Sequence, residues 1–268
     1  MRRIGVHETR FKEYGNDDVV ALFPKVRENE YNLLEIKAER LLSLSPLGLK
    51  RISLEARNFQ LDLSYSLVLG PLYDLSSQDE EVRKRGLSTV EQIIRNIGQM
   101  GGGSLNGPFY TSFPPVLHLK PQKDRLFEQS VGSLRTLAII AENEDVLLNI
   151  RPVNRYEHFF LNTALDALQF VRAINHPSCG IDLDTFHMNI EESDMLAAFE
   201  QAGYYLHCIH IRENNGQAVG KGQLPWDLIK ERLDLIHFEG SLVHAPESDI
   251  QDMEIPPFEG KKIRQILS

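Results

Sequence analysis

Short runs of aliphatic and β-branched residues recur through this chain roughly every 33 residues, and the segments between them carry helical spacing. The runs are Arg3 to His7, Asn32 to Ala38, Gln60 to Leu67, Ser104 to Tyr110, Val146 to Ile150, Cys179 to Leu183, Tyr205 to Glu213 and Gly240 to Ala245. Between them, helices are expected over Asp17 to Glu28, from a Ser77 cap with Glu80 three residues on to Met100, and over Gln122 to Glu144, Asn162 to Ile174 and Pro225 to Leu235. The Gln122 segment is the clearest, with Leu126, Val131, Leu134, Leu137 and Ile140 on one face. Eight such units predict an α/β protein, a single (β/α)8 TIM barrel spanning 1–268. A doubly wound open sheet is the runner-up, but no G-x-G-x-x-G follows the first strand. There is no P-loop, no nucleophile elbow and no linker break.

Two strand ends carry chemistry. The stretch GIDLDTFHMN, Gly180 to Asn189, is an apolar run that delivers Asp184, then His187 and Asn189. Parallel sheets present their sites at such C-terminal strand ends. The plainer alternative has Asp184 capping the next turn and His187 on the surface. One unit later YLHCIHIRE alternates, so either His207, Ile209 and Ile211 or Leu206, Cys208 and His210 point inward. Glu213 follows, and then a loop punctuated by Gly216, Gly220 and Gly222 that leads to Pro225 and Trp226.

A net charge of −9 argues against nucleic acid or an anionic membrane as partner. Cys179 and Cys208 fall in expected strands without a C-x-x-C, and read as small core residues of a reducing compartment. The N-terminal MRRIGVHETR lacks an apolar signal core, and no stretch approaches membrane-spanning length, so a cytoplasmic location is expected.

GIDLDTFHMNIEE closely resembles a segment of the ketose 3-epimerases acting on tagatose, psicose and related sugars, within the xylose-isomerase-like TIM barrels. The resemblance extends to LYDLSSQDEEVRKRG, to NRYEHFFLNT and to the run from His210 to Trp226, and covers most of Leu72 to Pro246. It implies a divalent metal (Mn, Mg or Co) held by two glutamates, an aspartate and a histidine, with the glutamates moving a proton on opposite faces of a ketose. On that resemblance Asp184 and His210 match two metal ligands, His187 a sugar-binding histidine and Glu157 an acid near the sugar.

Both glutamates are replaced. The gapless match through Asn154-Arg155-Tyr156-Glu157 puts Arg151 at the first, and the register between Gly240 and Pro246 puts Ala245 at the second. A one-residue slip would put His244 there instead. Gly216 stands where the family has an arginine, and the third strand, LSYSLVLGP, lacks a histidine many members carry there. The chain after Pro246 is short for the family's last helix. One cation and one methyl in place of two carboxylates change the local charge by about three units, and a guanidinium cannot ligate a metal. A metal-free pocket is therefore expected, in which Arg151 pairs with Asp184 and prefers acidic sugars or sugar phosphates over neutral ones. Asp184, His210, His187 and Glu157 are the candidate catalytic groups, and Arg151, His244, Glu213 and Trp226 the candidate substrate-binding ones. The resulting reading is a sugar isomerase or epimerase with an altered site, alone or as a homo-oligomer. The alternative is a catalytically silent barrel serving as a ligand-binding or partner subunit beside a paralogue. An endonuclease with a trinuclear zinc site would need more His and acidic ligands than the strand ends supply.

Overall fold

The computed structural model describes residues 2–14, 18–116, 123–244 and 259–267. In chain order the regular elements are β1 (Arg3–His7), α1 (Phe23–Glu28), β2 (Leu33–Lys37), α2 (Pro46–Asn58), β3 (Asp62–Ser66), α3 (Glu80–Gln99), β4 (Gly103–Gly107), α4 (Lys123–Asn143), β5 (Val146–Ile150), α5 (Ala164–Ile174), β6 (Cys179–Asp184), α6 (Thr185–Glu191), α7 (Met195–Ala202), β7 (Leu206–Ile211), α8 (Trp226–Leu235), β8 (Ser241–His244) and α9 (Gly260–Leu267). All eight strands pair in parallel in chain order, and β1 closes on β8 with Arg3 beside Ser241 and Val6 beside His244. The expected barrel is present. Among the described residues no helix is long and apolar enough to cross a membrane.

Local differences from the expected elements have physical causes. Helix α2 was not anticipated, yet Pro46 sits in its first turn, Ser45 Oγ accepts from Gly48 N at 3.2 Å, and Leu49, Ile52 and Ala56 share its buried face. Helix α3 is capped by Asp79, whose carboxylate accepts from Glu81 N at 2.9 Å. Ser77 instead accepts from Asp79 N and shapes the turn before the cap. The short C-terminal stretch does hold a helix, α9, which buries Ile263 and Leu267. Residues Ala245 and Pro246 lie outside the described set.

Alternation along the strands divides the side chains between two cores. Outward residues such as Ile4, Val6, Leu34, Ile36, Leu148 and Ile209 join the large apolar layer beneath the helices, each such burial being worth about 1.5–3 kcal/mol. Inside the barrel the apolar cluster is small, comprising Leu33, Cys208 and Val243 among the described residues. The rest of the interior is polar. Glu35, Asn106, Asn149, Asp182 and His210 are all at most 1% exposed, and Glu35 is hydrogen-bonded to Asn106 and His210 on strands not adjacent to its own.

Candidate active site

The C-terminal ends of β5, β6 and β7 bring together Arg151, Asp182, Asp184, His210 and Arg212. Arg151 directly follows β5, and its amide donates to Gly107 O of β4, fixing where the side chain leaves the sheet. Its Nε and Nη2 both reach Asp182 Oδ2, at 2.7 and 2.5 Å. Asp182 Oδ1 accepts from His210 Nδ1 at 2.7 Å, and His210 Nε2 lies 2.7 Å from Glu35 Oε2 across the barrel. Arg151 Nη2 is 2.7 and 2.9 Å from the two nitrogens of this ring, so the guanidinium lies across the imidazole. Asp184 takes a different partner. Its Oδ2 accepts from Arg212 Nη2 at 2.8 Å and its Oδ1 from Phe186 N at 2.9 Å. It therefore caps α6 and holds an arginine at the same time. The expected Arg151–Asp184 pair is replaced by two pairs, Arg151–Asp182 and Arg212–Asp184, although Arg151 still acts on Asp184 through space.

Charge follows from this geometry. Burial and Arg151 both oppose protonation of His210, but Asp182 and Glu35 outweigh them and hold its pKa well above the usual range. His210 is thus an imidazolium donating from both nitrogens. Burial raises the Glu35 carboxyl, yet the His210 charge and hydrogen bond bring it down to about 2. Burial likewise opposes ionisation of Asp184, and Arg212 reverses it. Three cations (Arg151, His210, Arg212) face three carboxylates (Glu35, Asp182, Asp184), so the buried cluster is neutral.

His187 is buried, not on the surface. Its Nδ1 lies 2.8 Å from Asn154 Nδ2 and its Nε2 lies 3.2 Å from Arg212 Nη2, and burial lowers its pKa to about 4, so the ring is neutral. Glu157 sits 3.8 Å from that Nδ1 on the rim, its carboxyl raised by burial. Both lie near enough to Arg151, Asp184 and Arg212 for those charges to act on them. The other candidates point elsewhere. His244 Nδ1 lies 2.9 Å from Tyr31 Oη, and its Nε2 is 3.6 Å from Glu259 Oε2, because its place on β8 faces the helix layer. Glu213 Oε1 accepts from Gly220 N and Trp226 Nε1 at 2.7 and 2.5 Å, so Glu213 and Trp226 hold the glycine-rich loop to the barrel rim.

Sequence reasoning missed Glu35, Asp182 and Arg212. Period-two alternation carried the signal, since Asp182 is two before Asp184 and Arg212 two after His210, on the same face. His7, buried and with Nε2 2.8 Å from Ser66 Oγ, was missed in the same way.

The donor set does not fit a divalent ion of the Mn, Mg or Co kind. Asp184 is held by Arg212, both His210 nitrogens point at carboxylates, and a guanidinium lies against Asp182 and His210. Among the described residues one trio, Asp182, Cys208 and His210, has ligand atoms within 4.8 Å of one another. There burial pushes the Cys208 thiol up to about 12, and Arg151 covers the other two.

A family model described as the xylose isomerase-like TIM barrel matches residues 23–262. The chain belongs to this family. Among its curated relatives, the D-psicose 3-epimerase of Enterocloster bolteae is 33% identical over 224 residues, covering 83% of this chain and 74% of that protein. The D-psicose 3-epimerase of Ruminiclostridium cellulolyticum is 29% identical over 242 residues, covering 90% of this chain and 83% of that protein. A crystal structure of D-psicose 3-epimerase with D-tagatose, from Clostridium cellulolyticum, superposes on this xylose isomerase-like barrel with a TM-score of 0.87 at 27% identity, covering 99% and 91% of the two chains. The relatives are epimerases, and the family is one of sugar isomerases and epimerases acting on ketoses.

Proposed function

We propose that this protein is a sugar isomerase-class enzyme acting on a neutral ketose without a divalent metal, with Arg151 as its electrophile. The observation that carries the reading is the position of Arg151. Its Nε and Nη2 are committed to Asp182, while Nη1 has no partner among the described residues and the side chain is 14% exposed. A guanidinium held this way donates to an oxygen that becomes negative as a C–H proton leaves, where preorganised charge is most effective. Glu157, with its raised pKa, is the base that takes the proton and returns it. Asp184 and His210 act by holding charge and geometry, since both are locked in ion pairs.

Charge balance bears on the ligand. An uncompensated buried arginine would favour acidic sugars, but here three cations meet three carboxylates, so a ligand carboxylate would have to compete with Asp182. A neutral ketose needs only the Nη1 donors.

The test is carbon-bound proton exchange in deuterated water, with chelator-treated protein and D-psicose, D-tagatose or D-fructose. Exchange that persists without metal and is lost in Glu157→Gln is expected. A strict requirement for added Mn, Mg or Co would overturn the metal-free reading. Calorimetric binding of ketose without exchange would support the silent ligand-binding barrel. Tighter binding of a hexuronate than of its parent hexose would restore the acidic-sugar reading.

A further inference from the structure

At the opposite end of the barrel from Arg151, a cavity of about 740 Å³ lies among the strand starts. Leu33, Leu63, Ile236 and Phe238 form its apolar walls, Asn149 and His207 give it neutral polar groups, and Arg3, Asp145 and Glu239 also line it. His207 is there because of an irregularity. Ile181 pairs with Leu206 but Asp182 pairs with Cys208, so β7 holds one extra residue, and that bulge turns His207 inward out of its alternation. Gly180 makes the room, since a Cβ at that position would lie 2.2 Å from His207 Nδ1 and 2.7 Å from Asn149 Oδ1.

The hydrogen-bond directions follow from one acceptor-only group. The Glu35 carboxylate can only accept, so Asn106 presents Nδ2 to its Oε1 at 2.8 Å. Asn106 Oδ1 then takes Asn149 Nδ2 at 2.9 Å, and Asn149 Oδ1 is left for His207 at 3.0 Å. His207 must therefore donate from Nδ1, and its Nε2 keeps a bare lone pair with no partner among the described residues. Burial lowers the pKa of this imidazole, which favours the neutral form.

We propose that this N-terminal mouth is a second small-molecule site, for a neutral hydroxyl-bearing ligand of monosaccharide size. One hydroxyl donates to His207 Nε2, and the carbon face of the ligand rests on Phe238 and Ile236. The volume falls within the roughly 300–1,000 Å³ of small-molecule sites, and apolar walls with a few fixed polar groups are their usual lining. The site is independent of the reaction proposed above.

The experiment titrates D-fructose into protein labelled with ¹⁵N-histidine, with calorimetry in parallel. The expected result is a saturable shift of the His207 Nε2 resonance that survives Arg151→Ala. His207→Leu should weaken binding at this site about tenfold, as loss of one neutral hydrogen bond predicts. Ser104→Trp, which fills the mouth from a different strand, should abolish it whether or not His207→Leu folds. A His207 resonance that stays fixed while fructose binds would overturn the proposal. So would unchanged stoichiometry in Ser104→Trp.

Discussion

Asp182 carries more of the site than its place in the middle of an apolar run suggests. It is fully buried and takes two donors from Arg151 and one from His210. Asp182→Asn would leave two buried cations undercompensated, so a loss of about 3–5 kcal/mol is expected. Urea unfolding measures it, and a loss below about 1 kcal/mol would show that the pairs do not hold the site together. His158 supports a second prediction, away from the site. It is 2% exposed, with its ring stacked on Phe159, and burial lowers its pKa from 6.5 to about 4. Because the unfolded chain binds this proton first, stability is complete above about pH 6.5 and falls as the pH drops through 4, by at most about 3 kcal/mol. His158→Phe keeps the stacking and should flatten that part of the pH–stability curve. An unchanged slope would assign the acid lability to the other histidines whose pKa burial lowers, His7, His187, His207 and His244. Asp184, His187 and His210 were legible as one constellation because they close a distinctive motif. Their partners were not, because pairing depends on which strands face each other across the barrel, which adjacency in sequence does not reveal.

Strands and their registers set where these groups meet. The alternation of β7 was legible, but its bulge was not, since an extra residue leaves no compositional mark when it is a histidine among aliphatics. Gly180 is the trace it leaves on the neighbouring strand. Gly180→Ala should cost about 1–3 kcal/mol by forcing His207 out of place. The double variant Gly180→Ala, His207→Ala should recover most of that loss. Additive losses in the double variant, seen by thermal unfolding, would mean that the glycine serves something other than the bulge. Helix α2 escaped notice for a related reason. Its helix-breaking Pro46 and Gly48 mask a segment whose proline lies in the first turn, where it is harmless.

For the whole barrel, the fold was the most legible property, because eight repeats of strand and helix leave few closed alternatives. The site was legible only in outline, from Asp184, His210 and Arg151, and the second arginine changes what a metal centre would require. Replacing Arg151 and Ala245 by glutamate leaves Arg212 on Asp184, so that pair of changes alone should bind no stoichiometric manganese. Adding Arg212→Ala should permit about one equivalent per chain, measured by elemental analysis after dialysis. Full loading without the third change would show that the Arg212–Asp184 pair yields to the ion. The polar axis of this barrel also bears on its history. Where hydrocarbon fills a core, one side chain can drift to another of similar bulk, and neighbours adjust. Where six ions cancel one another, a lone substitution strands its counterpart, so viable lineages move two positions at once or pass through a crippled intermediate. A barrel of this kind is slow to leave its present arrangement.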